Sequence, residues 1–259
     1  MRFQKERERN SSMRNNSKRG LVFTAVVVLG CLSLIPVASA SVIGNLSENS
    51  CTSGGTSGVT VTANTITWLP DNGSGTAGCI TSGNGTTLTY GSGTALGTTA
   101  PGTIADLTLN PGFPPVNDFM AFTIGSTTVD FELTSIGPGS SNTNCATLTT
   151  GEACSVVNSP FILALSGTTS SVIYLAVGGQ VTDNNGATWS NWTGVFSTTI
   201  PDQTPAQIQS IFGVDGAGSI TSTQSGTFTA SITPEPATMT LLGAGLIAIA
   251  MAARKRRKA

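Results

Sequence analysis

From Ser41 to Thr233 the chain contains no lysine, no arginine and no histidine. All twelve basic residues lie at the ends, seven within residues 2–19 and five within 254–258. A segment without cations cannot form a side-chain salt bridge, so it must be held by apolar burial and by hydrogen bonds between neutral groups. Against that absence stand ten acids, Glu48, Asp71, Asp106, Asp118, Asp130, Glu132, Glu152, Asp183, Asp202 and Asp215. The segment therefore carries a charge of about −10, which the whole-chain value of −1 conceals. Unpaired carboxylates repel one another, so salt and mild acid are expected to stabilise it. Nucleic acid and anionic membrane surfaces bind through Lys and Arg and are excluded as its partners.

Residues 41–233 are long enough for one sizeable core or two small ones. Serine and threonine fill 61 of these positions, with glycine and asparagine common among the rest, a composition suited to short strands and tight turns. Alternating apolar positions mark strands at Val59–Trp68, Thr86–Tyr90, Ile104–Leu109, Phe119–Ile124, Val129–Ile136, Phe161–Leu165, Val172–Val181, Trp192–Ile200, Ser219–Thr223 and Gly226–Ile232. Turn sequences separate them, among them Asp71-Asn72-Gly73, Gly137-Pro138-Gly139 and Asp183-Asn184-Asn185-Gly186. The pattern predicts an all-β fold, an antiparallel sandwich or jelly roll. One short helix is expected after the capping box Thr204-Pro205-Ala206-Gln207, with Ile208, Ile211 and Phe212 as its apolar face and Gly213 at its end.

The missing residue types also restrict chemistry. Without imidazole or lysine there is no Ser-His-Asp triad, no Cys-His pair and no Schiff base, and zinc or copper sites lose their usual ligands. An enzyme would have to work with carboxylates, and Asp130 and Glu132 are the close pair, two residues apart on one strand face. The alternation Val129, Phe131, Leu133 inward and Asp130, Glu132, Thr134 outward is also that of any half-buried strand, so the expectation is no catalytic residue, no metal and no cofactor. Asp183-Asn184-Asn185-Gly186 offers oxygen ligands but lacks calcium-loop spacing and a distal Glu, and reads as a hairpin turn. Leu69-Pro70-Asp71-Asn72-Gly73 likewise reads as a turn. Trp189 and Trp192, three apart, fall on opposite strand faces, so one anchors the core and the other can meet a sugar ring.

Four cysteines remain once Cys31 is assigned to the N-terminal apolar stretch, and four allow three pairings. The sequence-local choice, Cys51–Cys79 and Cys145–Cys154, closes two polar loops and suits an oxidising compartment. Export is indicated directly by the first forty residues. A basic stretch ending in Lys18-Arg19 precedes the apolar run Leu21–Leu34, Pro36 breaks it, and Ala38-Ser39-Ala40 presents small residues to signal peptidase. Maturation is expected to leave Ser41 first, with Met13 an alternative start and Cys31 an alternative lipoprotein site.

At the other end Pro234-Glu235-Pro236 is followed by an uncharged apolar run, Ala237 to Ala253, and by Arg254-Lys255-Arg256-Arg257-Lys258. Seventeen helical residues reach about 26 Å, enough to cross a bilayer with local thinning, and the basic cluster places the tail in the cytoplasm. This arrangement resembles the PEP-CTERM sorting signal. The resemblance implies recognition by a membrane exosortase in an exopolysaccharide-producing bacterium, and in many such proteins glycosylation of Ser and Thr. The expected organisation is a signal peptide at 1–40, a Ser/Thr/Gly-rich ectodomain at 41–233 and a sorting signal with a transmembrane helix at 234–259. The expected role is that of a surface or matrix protein, structural or interacting, with exosortase and signal peptidase as processing partners and exopolysaccharide as a candidate partner. A carbohydrate-binding module is the alternative, and a carboxylate-dependent glycoside hydrolase a further one.

Overall fold

The computed structural model describes residues 42–51, 58–69, 77–109, 115–183, 189–213, 218–232, 242–250 and 254. The expected signal peptide at 1–40 with its Ala38 and Ala40, the Pro234–Pro236 triplet and Lys255–Lys258 lie outside these residues, as do Asn184, Asn185 and Gly186. The chain divides into two compact units, one of them Ser39–Thr233.

Within that unit sixteen strands are described. They are β1 (Val42–Ser50), β2 (Gly58–Val61), β3 (Thr65–Leu69), β4 (Ala77–Ser82), β5 (Thr89–Tyr90), β6 (Thr94–Ala95), β7 (Pro101–Ala105) and β8 (Leu107–Thr108). The second half follows with β9 (Val116–Ile124), β10 (Thr127–Ile136), β11 (Ala153–Cys154), β12 (Ile162–Ser166), β13 (Ser170–Asp183), β14 (Ser190–Ile200), β15 (Ile220–Ser222) and β16 (Ser225–Ser231). The all-β, antiparallel expectation holds. The finer expectation of a sandwich or jelly roll differs from what is observed, because the strand order β10-β9-β7-β4-β1-β16-β14-β13 closes through a β10–β13 pairing into an eight-stranded barrel.

Closure depends on the length of β13. Its second half, Val177–Asp183, pairs with β10, while its first half, Ser170–Tyr174, pairs along the same edge with β12. A closed ring leaves no exposed edge on those eight strands, which protects a chain that has no edge lysines. Bulges set the curvature of β10. Register slips between Leu133 and Ser135 against β13, and between Phe131 and Leu133 against β9, where Asp118 adopts φ 52°. A separate four-stranded sheet, β15-β2-β3-β8, packs by Trp68 onto barrel residues Phe119 and Phe196, at ring separations of 6.0 and 5.6 Å.

Aromatic side chains fill the barrel in a continuous series. Phe122 meets Phe131, Phe131 meets Trp192, Trp192 meets Phe228 and Phe228 meets Phe196, with centroids 4.9–6.2 Å apart. Edge-to-face geometry of this kind adds about 0.5–1.5 kcal/mol per pair to the burial itself. Trp192 also satisfies its indole N–H, which donates to the carbonyls of Glu132 and Gln180 at 3.1 and 3.0 Å. Phe228 lies against Gly194 of the neighbouring strand, where an added Cβ would come within 2.1 Å of the ring.

The predicted helix forms at Pro205–Phe212 with its capping box in place and Ile208 and Phe212 buried. Gln209 on its polar side donates to the carbonyls of Thr143 and Ser155, tying the helix to the loop stapled by Cys145–Cys154. Cys51–Cys79 forms as well, so both expected disulfides are present.

Candidate functional site

The expected outward pair, Asp130 and Glu132, stands on the outer face of β10, with Val129, Phe131 and Leu133 fully buried on the other face. Partial burial, and then the nearby Asp118 carboxylate, raises the Asp130 pKa. No group of three or more acidic or cysteine ligands with metal-holding geometry occurs among the described residues. Asp183, which opens the turn weighed for calcium, is buried, and its Oδ2 accepts a 2.8 Å hydrogen bond from the Gly91 amide. That carboxylate clamps the β5–β6 hairpin to the end of β13.

The two tryptophans separate as expected. Trp192 is 1 % exposed at the centre of the aromatic series, whereas Trp189 is 46 % exposed at the entry to β14. A cavity that the second sheet covers, lined in part by Trp68, Phe196 and Gln224, measures about 20 Å³. That is room for one water and not for an organic ligand.

Sequence reasoning missed Glu48. It points into the barrel from β1, is 0 % exposed, and accepts a 2.7 Å hydrogen bond at Oε1 from Nε2 of Gln224. Its Oε2 and the Oε1 of Gln224 have no hydrogen-bond partner, although both are buried. The two orphaned oxygens belong to the same acid–amide pair, and a proton on Glu48 supplies the donor that both lack. Burial accordingly pushes the Glu48 pKa from its ordinary 4.5 up to about 8, the Gln224 hydrogen bond opposing only part of that rise. Glu48 is thus a neutral acid at pH 7, enclosed inside the barrel with its proton.

At the C-terminus residues 242–250 are helical, and Leu242, Leu246, Ile247 and Ile249 are exposed. No described helix is long and apolar enough to cross a membrane. Residues 233–257 match the family model described as the PEP-CTERM protein-sorting motif. This chain carries that sorting motif at its C-terminus. The matched stretch includes Pro234, Glu235 and Pro236 and the basic residues Arg254 to Arg257. The PEP-CTERM motif implies exosortase as the processing partner, export, and a transient C-terminal membrane anchor. No curated protein and no solved structure matches the chain.

Proposed function

We propose that the protein is a non-catalytic component of the cell surface or extracellular matrix, exported, sorted by exosortase and associated with exopolysaccharide through a structural or interaction role. The observation that carries this reading is the PEP-CTERM motif placed behind a disulfide-stapled all-β unit with no basic side chain. Signal peptidase cleaves after Ala40, and exosortase removes the apolar tail near Pro234–Pro236. The test is terminal-peptide and intact-mass analysis of surface material from cells with and without exosortase. The reading expects Ser41 at the N-terminus and loss of the Ala237–Ala259 tail only where exosortase is present. Chymotryptic peptides joining the ectodomain to the tail, between Phe228 and Leu241, in mature surface material would overturn it.

A carbohydrate-binding role is favoured as the second reading by one feature, the exposed indole of Trp189. A carboxylate-dependent glycosidase is the third. It would require Asp130 and Glu132 to act together, and Asp130→Asn or Glu132→Gln would abolish any cleavage that purified protein shows.

A further inference from the structure

The outer side of β1, β16 and β14 carries no charge. Neither β14 nor β16 contains an acidic residue, and the one acid of β1, Glu48, points inward. Outward positions fall into register across the three strands. Asn45, Thr229 and Thr193 form one row, with the Thr229 hydroxyl donating to Asn45 Oδ1 at 2.9 Å. Ser231 and Asn191 pair in the next row. Two residues before Asn191, in the same alternation, stands the exposed Trp189. Rows of hydroxyls and amides therefore repeat at about 4.8 Å across the strands and about 6.8 Å along them, with an indole at one end.

Building on the interaction role proposed above, we infer that this face, with Trp189 as its stacking platform, binds an extended, uncharged polysaccharide. Indole faces pack on the C–H faces of sugar rings, while hydroxyl and amide rows exchange hydrogen bonds with ring hydroxyls. Charge selects the class of polymer. A polyanion is repelled by a domain with ten acids and no base, and a polycation finds its carboxylates elsewhere, since this face offers none. Each hydroxyl contact is weak, so affinity comes from many rows engaging one chain at once.

Affinity electrophoresis of the exported protein through gels containing galactomannan, mixed-linkage β-glucan or polygalacturonate tests this. The expected result is retardation by at least one neutral polymer and none by polygalacturonate. Trp189→Ala should weaken retardation about tenfold, as truncation of an aromatic anchor does, and Thr193→Glu with Thr229→Glu should weaken it further. All three sites are exposed, so a melting temperature close to wild type is expected for Trp189→Ala, and one lowered only modestly by the facing carboxylates for the double variant, which separates lost binding from lost folding. Asp130→Asn should bind like wild type. No retardation by either neutral polymer overturns the inference while leaving the sorting reading, which is decided by the terminal peptides, untouched. Retardation that survives both sets of substitutions overturns the assignment to this face, and retardation by polygalacturonate overturns the charge selection.

Discussion

Replacing Glu48 with glutamine should make the protein more stable at neutral pH and remove most of its sensitivity to alkali. The folded-state pKa of Glu48 is about 8 against an ordinary 4.5, so the native state binds more protons than the unfolded state between those values. Stability from this group is fully present below pH 4.5 and is lost as pH rises to about 8, beyond which no more is lost. At pH 7 an unfolded chain would have to take up a proton to refold, at a cost of about 3 kcal/mol, and the complete loss by pH 9 is on the order of 5 kcal/mol. No screening discount applies, since the carboxyl is fully enclosed.

Glutamine is nearly isosteric and can meet Gln224 as amide to amide, one N–H donated each way. Glu48→Gln should therefore match wild type near pH 4, exceed it by up to about 3 kcal/mol at pH 7, and exceed it by more at pH 9. For a domain of this size that is a melting-temperature gain of roughly 6–12 °C at pH 7. Melting curves of the exported protein and the variant at pH 4, 5, 6, 7, 8 and 9, at fixed ionic strength, check it. Two wild-type and variant profiles that fall in parallel with pH would refute the reasoning, because the pH dependence would then belong to other carboxyls. Partial burial raises the Asp130 pKa and contributes in the same direction, and Asp130→Asn in the Glu48→Gln background should flatten what remains.

Reduction of the two disulfides should destabilise unequally. Loop closure gives about 3.6 kcal/mol for the 28-residue separation of Cys51–Cys79 and about 2.6 kcal/mol for the 9-residue separation of Cys145–Cys154. Chemical denaturation of the Cys51→Ser/Cys79→Ser and Cys145→Ser/Cys154→Ser variants reads the order directly. Gly194→Ala drives a methyl group into the Phe228 ring and should lower stability by about 1–3 kcal/mol, with a changed near-UV circular dichroism signal from the aromatic series. Thr204→Ala removes the helix cap and should cost about 1 kcal/mol in the same denaturation assay.

Where apolar alternation was unbroken, the fold was legible. β10, β13, β14 and β16 place their buried large apolar residues on one face, an even number of positions apart, and the strands' expected positions agree with those observed to within a few residues. β1 was not legible because its inward positions read Val42, Gly44, Leu46 and Glu48, a pattern in which a glycine and an acid interrupt the stripe. The single strand expected over Val59–Trp68 is a hairpin, since the Thr62 hydroxyl accepts from the Asn64 and Thr65 amides and bends the chain there. The expected strand Ile104–Leu109 breaks at Asp106, whose carboxylate leaves the barrel pattern to accept from the Trp68 amide. Barrel closure follows from the length of β13 and the two partners on one of its edges, a pairing fact that local periodicity does not encode. For the candidate sites, composition showed which chemistries were missing and the tail motif was plain, but the buried acid was counted with the surface ones.

A domain without cations has few ways to tuck in a carboxylate, and the barrel uses two of them with opposite consequences. Asp106, Glu152 and Asp183 are each held by a backbone amide, from Trp68, Thr149 and Gly91, at 2.9, 2.7 and 2.8 Å. A backbone N–H favours the ionised form, and at Glu152 the Thr149 hydrogen bonds lower the pKa, so that contact strengthens as pH rises through the acid range. Glu48 has no backbone donor for its Oε2 and is buried against an amide side chain, so there the proton itself must act as the counter-ion. With no lysine, arginine or histidine available to replace that proton, introducing one is a direct test of why it is needed. Gln224→Lys would put an ammonium beside Glu48 and should return the carboxyl to the ionised state at pH 7, abolishing the fall in stability between pH 5 and pH 8. The variant should still be less stable overall at pH 5, since a buried ion pair recovers only part of its desolvation cost. A Gln224→Lys protein whose melting temperature keeps the wild-type slope over that range would show that Glu48 is not the group being titrated.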